Sequence, residues 1–348
     1  MTGSATVDVV VVGGGPAGAA AALWCARRGL QVVLLERERF PRHRPGETLP
    51  PGVEPLFDQL GVAGAIGRAE FARHAGTWVT WSGTRRFDAF GADEAGPWRG
   101  FQAPRDRLDG TLLDAAVEAG VEVRQPCRAV EPVLDAGRVV GVATGEGRIA
   151  AGWVVDAGGG RHWLARRLEI GIRRASPRLI ARYGYGRGEG LELGDCPEIV
   201  ADAAGWTWTA RIAPGLFHWT RLSFDGRDAD GTSPPAAFAG LEAVGRPRGA
   251  DVSWRMVERP AGPGYICVGD AACVLDPAAS HGVLKAIMSG MMAAHVIAEG
   301  MAGGASRGQA IQAYTDWLTR LFRADVTALT ELYRTHPFPP AWVADGTT

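Results

Sequence analysis

Residues 7–18 read Val7-Asp8-Val9-Val10-Val11-Val12-Gly13-Gly14-Gly15-Pro16-Ala17-Gly18, followed by an alanine-rich run to Arg28-Gly29 and then by Gln31-Val32-Val33-Leu34-Leu35-Glu36. The opening hexad is β-branched and almost wholly apolar, the pattern of a central parallel strand covered by helices on both faces. The alanine-rich run predicts a helix that stops at Gly29, and residues 31–35 predict a second buried strand that delivers Glu36 at its C-terminal end. Together they form a Rossmann βαβ unit with the dinucleotide fingerprint. Gly13 permits the tight turn, Gly15 lets the backbone approach a pyrophosphate, and Gly18, helped by Ala22, lets the helix pack close to the sheet. Free N–H groups at the helix start face the phosphates, so Gly13, Gly15, Pro16, Ala17 and Gly18 are the candidate phosphate-binding turn. Glu36 lies about 20 residues on, where a carboxylate accepts hydrogen bonds from ribose hydroxyls and repels a 2′-phosphate. These residues specify a dinucleotide without separating FAD from NAD.

The remaining composition sets bounds. The chain has 348 residues, 46% of them hydrophobic, enough for two domains rather than one. Formal net charge is −1 and the signs are mixed, so a nucleic-acid partner is not expected. Met1 to Thr6 shows no basic or apolar leader. The apolar stretch Gly282–Ala298 carries Lys285 and His295 and falls short of the ~20 apolar residues of a membrane span, so the expectation is a cytoplasmic protein without a membrane segment. Five cysteines, odd in number and without a C-x-x-C pair, indicate neither a disulfide framework nor a metal site. Lys285 is the single lysine among 37 basic side chains.

Three later segments carry a family resemblance. Arg105-x-Arg107-Leu108-Asp109 opens an amphipathic helix, Trp153-Val154-Val155-Asp156-Ala157-Gly158-Gly159 is a strand running into a glycine turn, and Gly264-Tyr265-Ile266-Cys267-Val268-Gly269-Asp270 is a buried strand ending in Gly-Asp. In that order, behind the fingerprint, they resemble the FAD-dependent group of tryptophan halogenases, geranylgeranyl reductases and aromatic hydroxylases. The resemblance implies FAD as the cofactor, Arg105 near the flavin and Asp270 on the ribityl chain. Ala157 departs from the glycine that many of the hydroxylases have there. Arg44-Pro45-Gly46-Glu47-Thr48-Leu49-Pro50 resembles the halogenase-like loop beside the isoalloxazine, which implies ring-side positions for Arg44, Glu47 and Thr48. Asp276-Pro277-Ala278-Ala279-Ser280-His281-Gly282 resembles their D-P-x-x-S-x-G stretch, placing Pro277, Gly282 and Val283 against the ring at a helix start.

The expected fold class is α/β: a discontinuous Rossmann-like FAD-binding domain of the glutathione-reductase type (1–75, 101–165 and 258–300), an antiparallel β-sheet substrate domain (76–100 and 166–257), and a C-terminal helical segment and tail (301–348). Trp206-x-Trp208 is read as the wall of an apolar pocket or core. The resemblance implies an oxidoreductase. Halogenation is disfavoured because no lysine falls near residues 70–90 and because Val274 and His281 replace halide-site residues. The stretch Ser280-His281-Gly282-Val283-Leu284-Lys285-Ala286 and the chain length resemble LodB-like flavoproteins that mature tryptophylquinone cofactors. The leading expectation is therefore a monooxygenase acting on an aromatic substrate, including a protein-borne tryptophan of a quinoprotein precursor. Its electrons would come from NAD(P)H or from a separate flavin reductase. A reductase of the geranylgeranyl type and a non-catalytic flavoprotein chaperone stay open. His281 is the candidate for proton transfer, with helix capping as its alternative role, and His218 is the second candidate.

Overall fold

A computed structural model describes residues 6–189, 194–224, 234–301 and 306–344. Five helices position the site: α1 (Pro16–Ala26), α2 (Arg105–Glu118), α3 (Trp163–Arg167), α4 (Gly282–Met301) and α5 (Ser306–Arg334).

The first sheet runs, in spatial order, Glu122–Arg124, Val32–Leu35, Val7–Val12 and Gly147–Asp156. These strands are parallel, in register Val12↔Leu35 and Val12↔Asp156. The C-terminal half of Gly147–Asp156 also pairs in parallel with Tyr265–Cys267, so Val12, Asp156 and Cys267 end side by side. Its N-terminal half turns instead into an antiparallel meander with Arg138–Thr144 and Ala129–Asp135. Val9, Val10 and Val11 are fully buried, as expected for a strand covered on both faces.

Two helices cover one face with little space between them. A Cβ on Gly290 of α4 would lie 2.3 Å from the Ala17 carbonyl oxygen of α1, and one on Gly269 would lie 2.9 Å from the Ala17 Cβ. Backbone approach this close needs glycine on one side and alanine on the other. At 20 residues, α4 is longer than the apolar stretch in the sequence suggests and passes the length and composition test for a membrane span. More than half of it is nevertheless buried inside the fold, as a core helix of the flavin side.

The second sheet takes its strands from 76–89 and 180–251, in the order Glu242–Ala243, Ile180–Arg187, Leu216–Ser223, Gly205–Ala213, Glu198–Asp202, Gly76–Thr80, Arg85–Ala89. It is antiparallel except at Glu198↔Trp78, where two strands run parallel. Gly76–Thr80 comes from an earlier excursion of the chain, so no hairpin forces its direction. Trp206 is fully buried and packs, with Trp81, Trp254 and Tyr333 of α5, into a separate aromatic core.

Candidate flavin and substrate site

The end of the parallel sheet, the loop 36–48, the second sheet and the start of α4 enclose one cavity of about 1460 Å³. That exceeds the ~300–1,000 Å³ usual for a single small ligand and leaves room for a cofactor and a substrate together. Of the residues expected at the site, Gly13, Gly15, Pro16, Ala17, Glu36, Arg44, Glu47, Thr48, Arg105, Asp270, Pro277, Gly282 and Val283 line this cavity. Gly18 and His281 do not.

Gly18 lies behind the turn. A Cβ there would sit 1.9 Å from the Gly13 carbonyl oxygen, so its role is close packing. Gly13 holds φ +106°, and a Cβ on it would meet the Ala157 carbonyl oxygen at 2.4 Å. Gly15 differs: its Cβ would point toward open space, with only Arg42 Nη2 near, at 3.3 Å. Because no side chain caps α1, its first N–H groups are free to meet an anion.

Glu36 accepts hydrogen bonds from the Gly14 amide at 2.8 Å and from the Glu38 amide at 2.9 Å, which fixes its carboxylate at the strand end. Arg42 lies between Glu36 (3.8 Å) and Asp109 (3.4 Å), and its buried Nε has no hydrogen-bond partner. That orphaned donor beside the uncapped helix is what a pyrophosphate would satisfy. Arg105 forks onto Asp109 at 2.8 and 3.0 Å and donates to the Pro45 carbonyl at 2.8 Å. Burial opposes its charge, but Asp109, Glu47 and Asp270 outweigh burial and hold its pKa above the usual arginine value. Asp270 accepts no hydrogen bond from the described residues and faces the cavity, although protein surrounds it. Its pKa is raised by that enclosure, with Arg105 and Arg255 pulling the other way. A carboxylate in this state suits ribityl hydroxyl donors. The residues present therefore fit an FAD along this wall.

Arg44 is paired with Glu38, and Thr48 Oγ1 donates to Gln102 Oε1 at 2.8 Å. Glu47 is buried, accepting from the Gly46 amide at 2.8 Å and from the Tyr185 hydroxyl at 2.5 Å. His218, 4% exposed, places Nδ1 3.8 Å from Glu47 Oε2 and Nε2 3.3 Å from Thr220 Oγ1. Burial lowers its pKa while Glu47 raises it, and burial wins. Tyr183, Trp206, Trp208 and Thr220 complete this lobe of the cavity. His281, by contrast, is exposed, so the proton-transfer role expected of it lacks a position on the cavity wall. Lys285 lines the cavity from α4 and forms an ion pair with Asp325 on α5, Nζ to Oδ2 2.5 Å.

Below the flavin wall, two buried carboxylates hold the loops. Asp156 accepts from the Gly158 and Leu164 amides at 2.9 and 2.8 Å, and burial pushes its pKa up to about 6 against those bonds. Asp276 accepts from Trp254 Nε1 (2.6 Å), the Tyr333 hydroxyl (2.9 Å) and the Ala278 amide (3.0 Å), and burial likewise pushes it up to about 6. Arg42, Asp109, Tyr185 and the Trp254–Tyr333 pair have no assigned role in the sequence reading. Only Asp109 carries a local signal, its i,i+4 spacing from Arg105.

Comparison with known proteins gives concordant results. The FAD binding domain family matches residues 6–183 and the Tryptophan halogenase family matches residues 97–336. The chain is 29% identical to the 1H-pyrrole-2-carbonyl-(peptidyl-carrier protein) brominase of Pseudoalteromonas luteoviolacea, over 89% of this chain and 81% of that protein. It is 30% identical to the menaquinone reductase of Mycolicibacterium smegmatis, over 84% of this chain and 76% of that one. Among solved structures, the myxobacterial chondrochloren halogenase CndH superimposes with a TM-score of 0.86 at 26% identity, covering 95% of this chain and 83% of that one.

Proposed function

Because the chain belongs to the tryptophan halogenase family and carries its FAD-binding domain, it is an FAD-dependent oxidoreductase, and we propose that it acts as a monooxygenase on an aromatic substrate. The observation that carries this reading is the lobe where Tyr183 and Trp208 join His218 and Glu47 in the lining of the cavity that also holds the dinucleotide turn. FAD, when bound and reduced, supplies the electrons and the place at which O2 is activated.

The chain's own residues do the rest. Trp208 and Tyr183, half-buried on the two strands that flank Thr220, offer ring faces against which a planar substrate stacks. His218, held neutral near pH 7 by burial, has a ring nitrogen able to take the proton of a phenol O–H or indole N–H, and Glu47 steadies the imidazolium that results. Tyr185 holds Glu47 in place. The second sheet forms one wall of the lobe, and a substrate seated against it displaces water that would compete for the oxidant.

The proposed substrate is a tryptophan borne by a partner protein, with the enzyme serving cofactor maturation and a flavin reductase or NAD(P)H supplying electrons. The resemblance of the stretch 280–286 to LodB-like flavoproteins and a cavity of about 1460 Å³ support this choice. The test is to incubate the flavin-loaded protein with reductant, O2 and a tryptophan-bearing precursor and to look for a mass gain of about 16 or 32 Da, one or two oxygen atoms. Product on free indole but not on the precursor moves the substrate to a small molecule. Reduction of a quinone without O2 consumption replaces the oxygenase reading with a reductase.

One observation favours a second reading. Lys285, beside Asp325, gives the cavity an amine even though none lies near residues 70–90, so a halogenase remains a competitor. Bromide in the same assay decides it: brominated product that disappears in Lys285→Met establishes halogenation.

A further inference from the structure

A second pocket of about 560 Å³ adjoins the flavin cavity. The two share Gly160, Arg161, Arg166, Asp251 and Arg255, and the second is closed on its far side by His162, Ile172 and Arg174. Neither the turn Gly13–Ala17 nor Glu36 nor Arg42 reaches it, so it lies outside the dinucleotide cradle.

Its charge is lopsided. Four arginines, Arg161, Arg166, Arg174 and Arg255, face a single carboxylate, Asp251. That carboxylate is already engaged, accepting from the Ser253 amide at 3.0 Å, the Ser253 hydroxyl at 2.6 Å and Arg255 Nη1 at 3.0 Å. His162 adds no negative charge and cannot take a proton without breaking a bond. Its Nε2 accepts from Arg255 Nε at 2.9 Å while Nδ1 donates to the Ala271 carbonyl at 2.9 Å.

Three guanidinium groups are left over. Arg166 uses only Nε, on the Arg161 carbonyl. Neither Arg161 nor Arg174 makes a side-chain hydrogen bond or ion pair with the described residues. The strand register adds to the imbalance: Arg174 stands directly opposite Arg255 on paired antiparallel strands. Like charges in that relation repel unless something between them is negative.

We propose that this pocket binds a phosphate-bearing molecule, with Arg161, Arg166 and Arg174 holding its phosphate or pyrophosphate while the remainder enters the flavin cavity past Gly160. Planar guanidinium forks match phosphate oxygens, and three of them call for a ligand with at least two negative charges. Two sources share this chemistry, a nicotinamide dinucleotide and a phosphopantetheine thioester.

The probe is inorganic pyrophosphate, titrated calorimetrically into flavin-loaded protein. The expected result is micromolar affinity that weakens with salt and falls at least tenfold in Arg161→Ala/Arg174→Ala, with Arg68→Ala, elsewhere on the surface, unchanged. Both replaced side chains are exposed, so the variant is expected to fold. NADPH and coenzyme A, each titrated against the flavin spectrum, then tell the two sources apart. Affinity of wild type no better than millimolar, or equal affinity in the double variant, overturns the proposal. Loss of flavin absorbance from wild type would instead count against the cofactor reading, so the two failures are distinct.

Discussion

Replacing Tyr333 by Phe removes one hydroxyl from the junction between the aromatic core and the flavin-side loop. That hydroxyl donates to Asp276 Oδ2 at 2.9 Å and accepts from Trp206 Nε1 at 3.0 Å. The first is a bond to a carboxylate, which contributes about 1.5–3 kcal/mol. Losing the second strands the indole N–H of a fully buried tryptophan, which costs about 1–3 kcal/mol. The sum is about 2.5–6 kcal/mol. At ~2.1 cal/mol/K of unfolding entropy per residue, a chain of this length should lose about 3–8 °C in Tm. The pH dependence has a definite sign. Burial already holds Asp276 at about 6, above its ordinary 3.8, so its protonated form is the comfortable one. Removing a donor that lowers its pKa raises it further, so the deficit of Tyr333→Phe is larger at pH 8, where the group must ionise, than at pH 5. Thermal unfolding of flavin-loaded wild type and variant at the two pH values measures this. A shift under 1 °C, well below the ~3 °C minimum just derived, or an equal shift at both pH values, refutes the network as drawn.

Three other outcomes are expected. Gly15→Ala should fold normally and lose FAD, because its Cβ points into the cavity, whereas Gly18→Ala should fail to fold, since its Cβ would meet backbone at 1.9 Å; absorbance and circular dichroism separate the two. His218→Gln should lower product formation about 10²-fold or more while His281→Gln leaves it within a few fold; equal losses would return proton transfer to the residue at the helix start. Asp156, also raised to about 6, contributes stability that is complete below pH 4 and lost as pH rises through 6, about 3 kcal/mol in all. Urea unfolding of Asp156→Asn between pH 4 and 7 should show a correspondingly flatter profile.

The flavin half of the fold was legible because its signals are local. Val7–Val12, the glycine turn and Glu36 lie within one βαβ unit, and each glycine has a steric reason that survives in the three-dimensional packing. Most of the site residues read from short motifs came together because most of those motifs end a strand or start a helix at the edge of the cavity, Gly18 and His281 excepted. Partnerships that cross the chain were invisible. Glu47 and Tyr185 are 138 positions apart, and His162 and Arg255 are 93 apart, with nothing in either neighbourhood that names the other. His281 shows the converse: a motif located it correctly at the start of a helix, but which way a side chain turns at such a start depends on packing that spacing does not encode. The parallel junction at Glu198↔Trp78 was equally hidden, because strand direction follows from connections rather than composition.

The contact between α1 and α4 also acts as a gauge. One helix begins at the phosphate turn and the other at the ring-side loop, and Gly290 against Ala17 fixes how far apart those two beginnings stand. Ala17 lines the cavity while Gly290 lies behind it, so a bulkier residue at Gly290, whose Cβ would meet the Ala17 carbonyl oxygen at 2.3 Å, would act on the phosphate turn from the protein side.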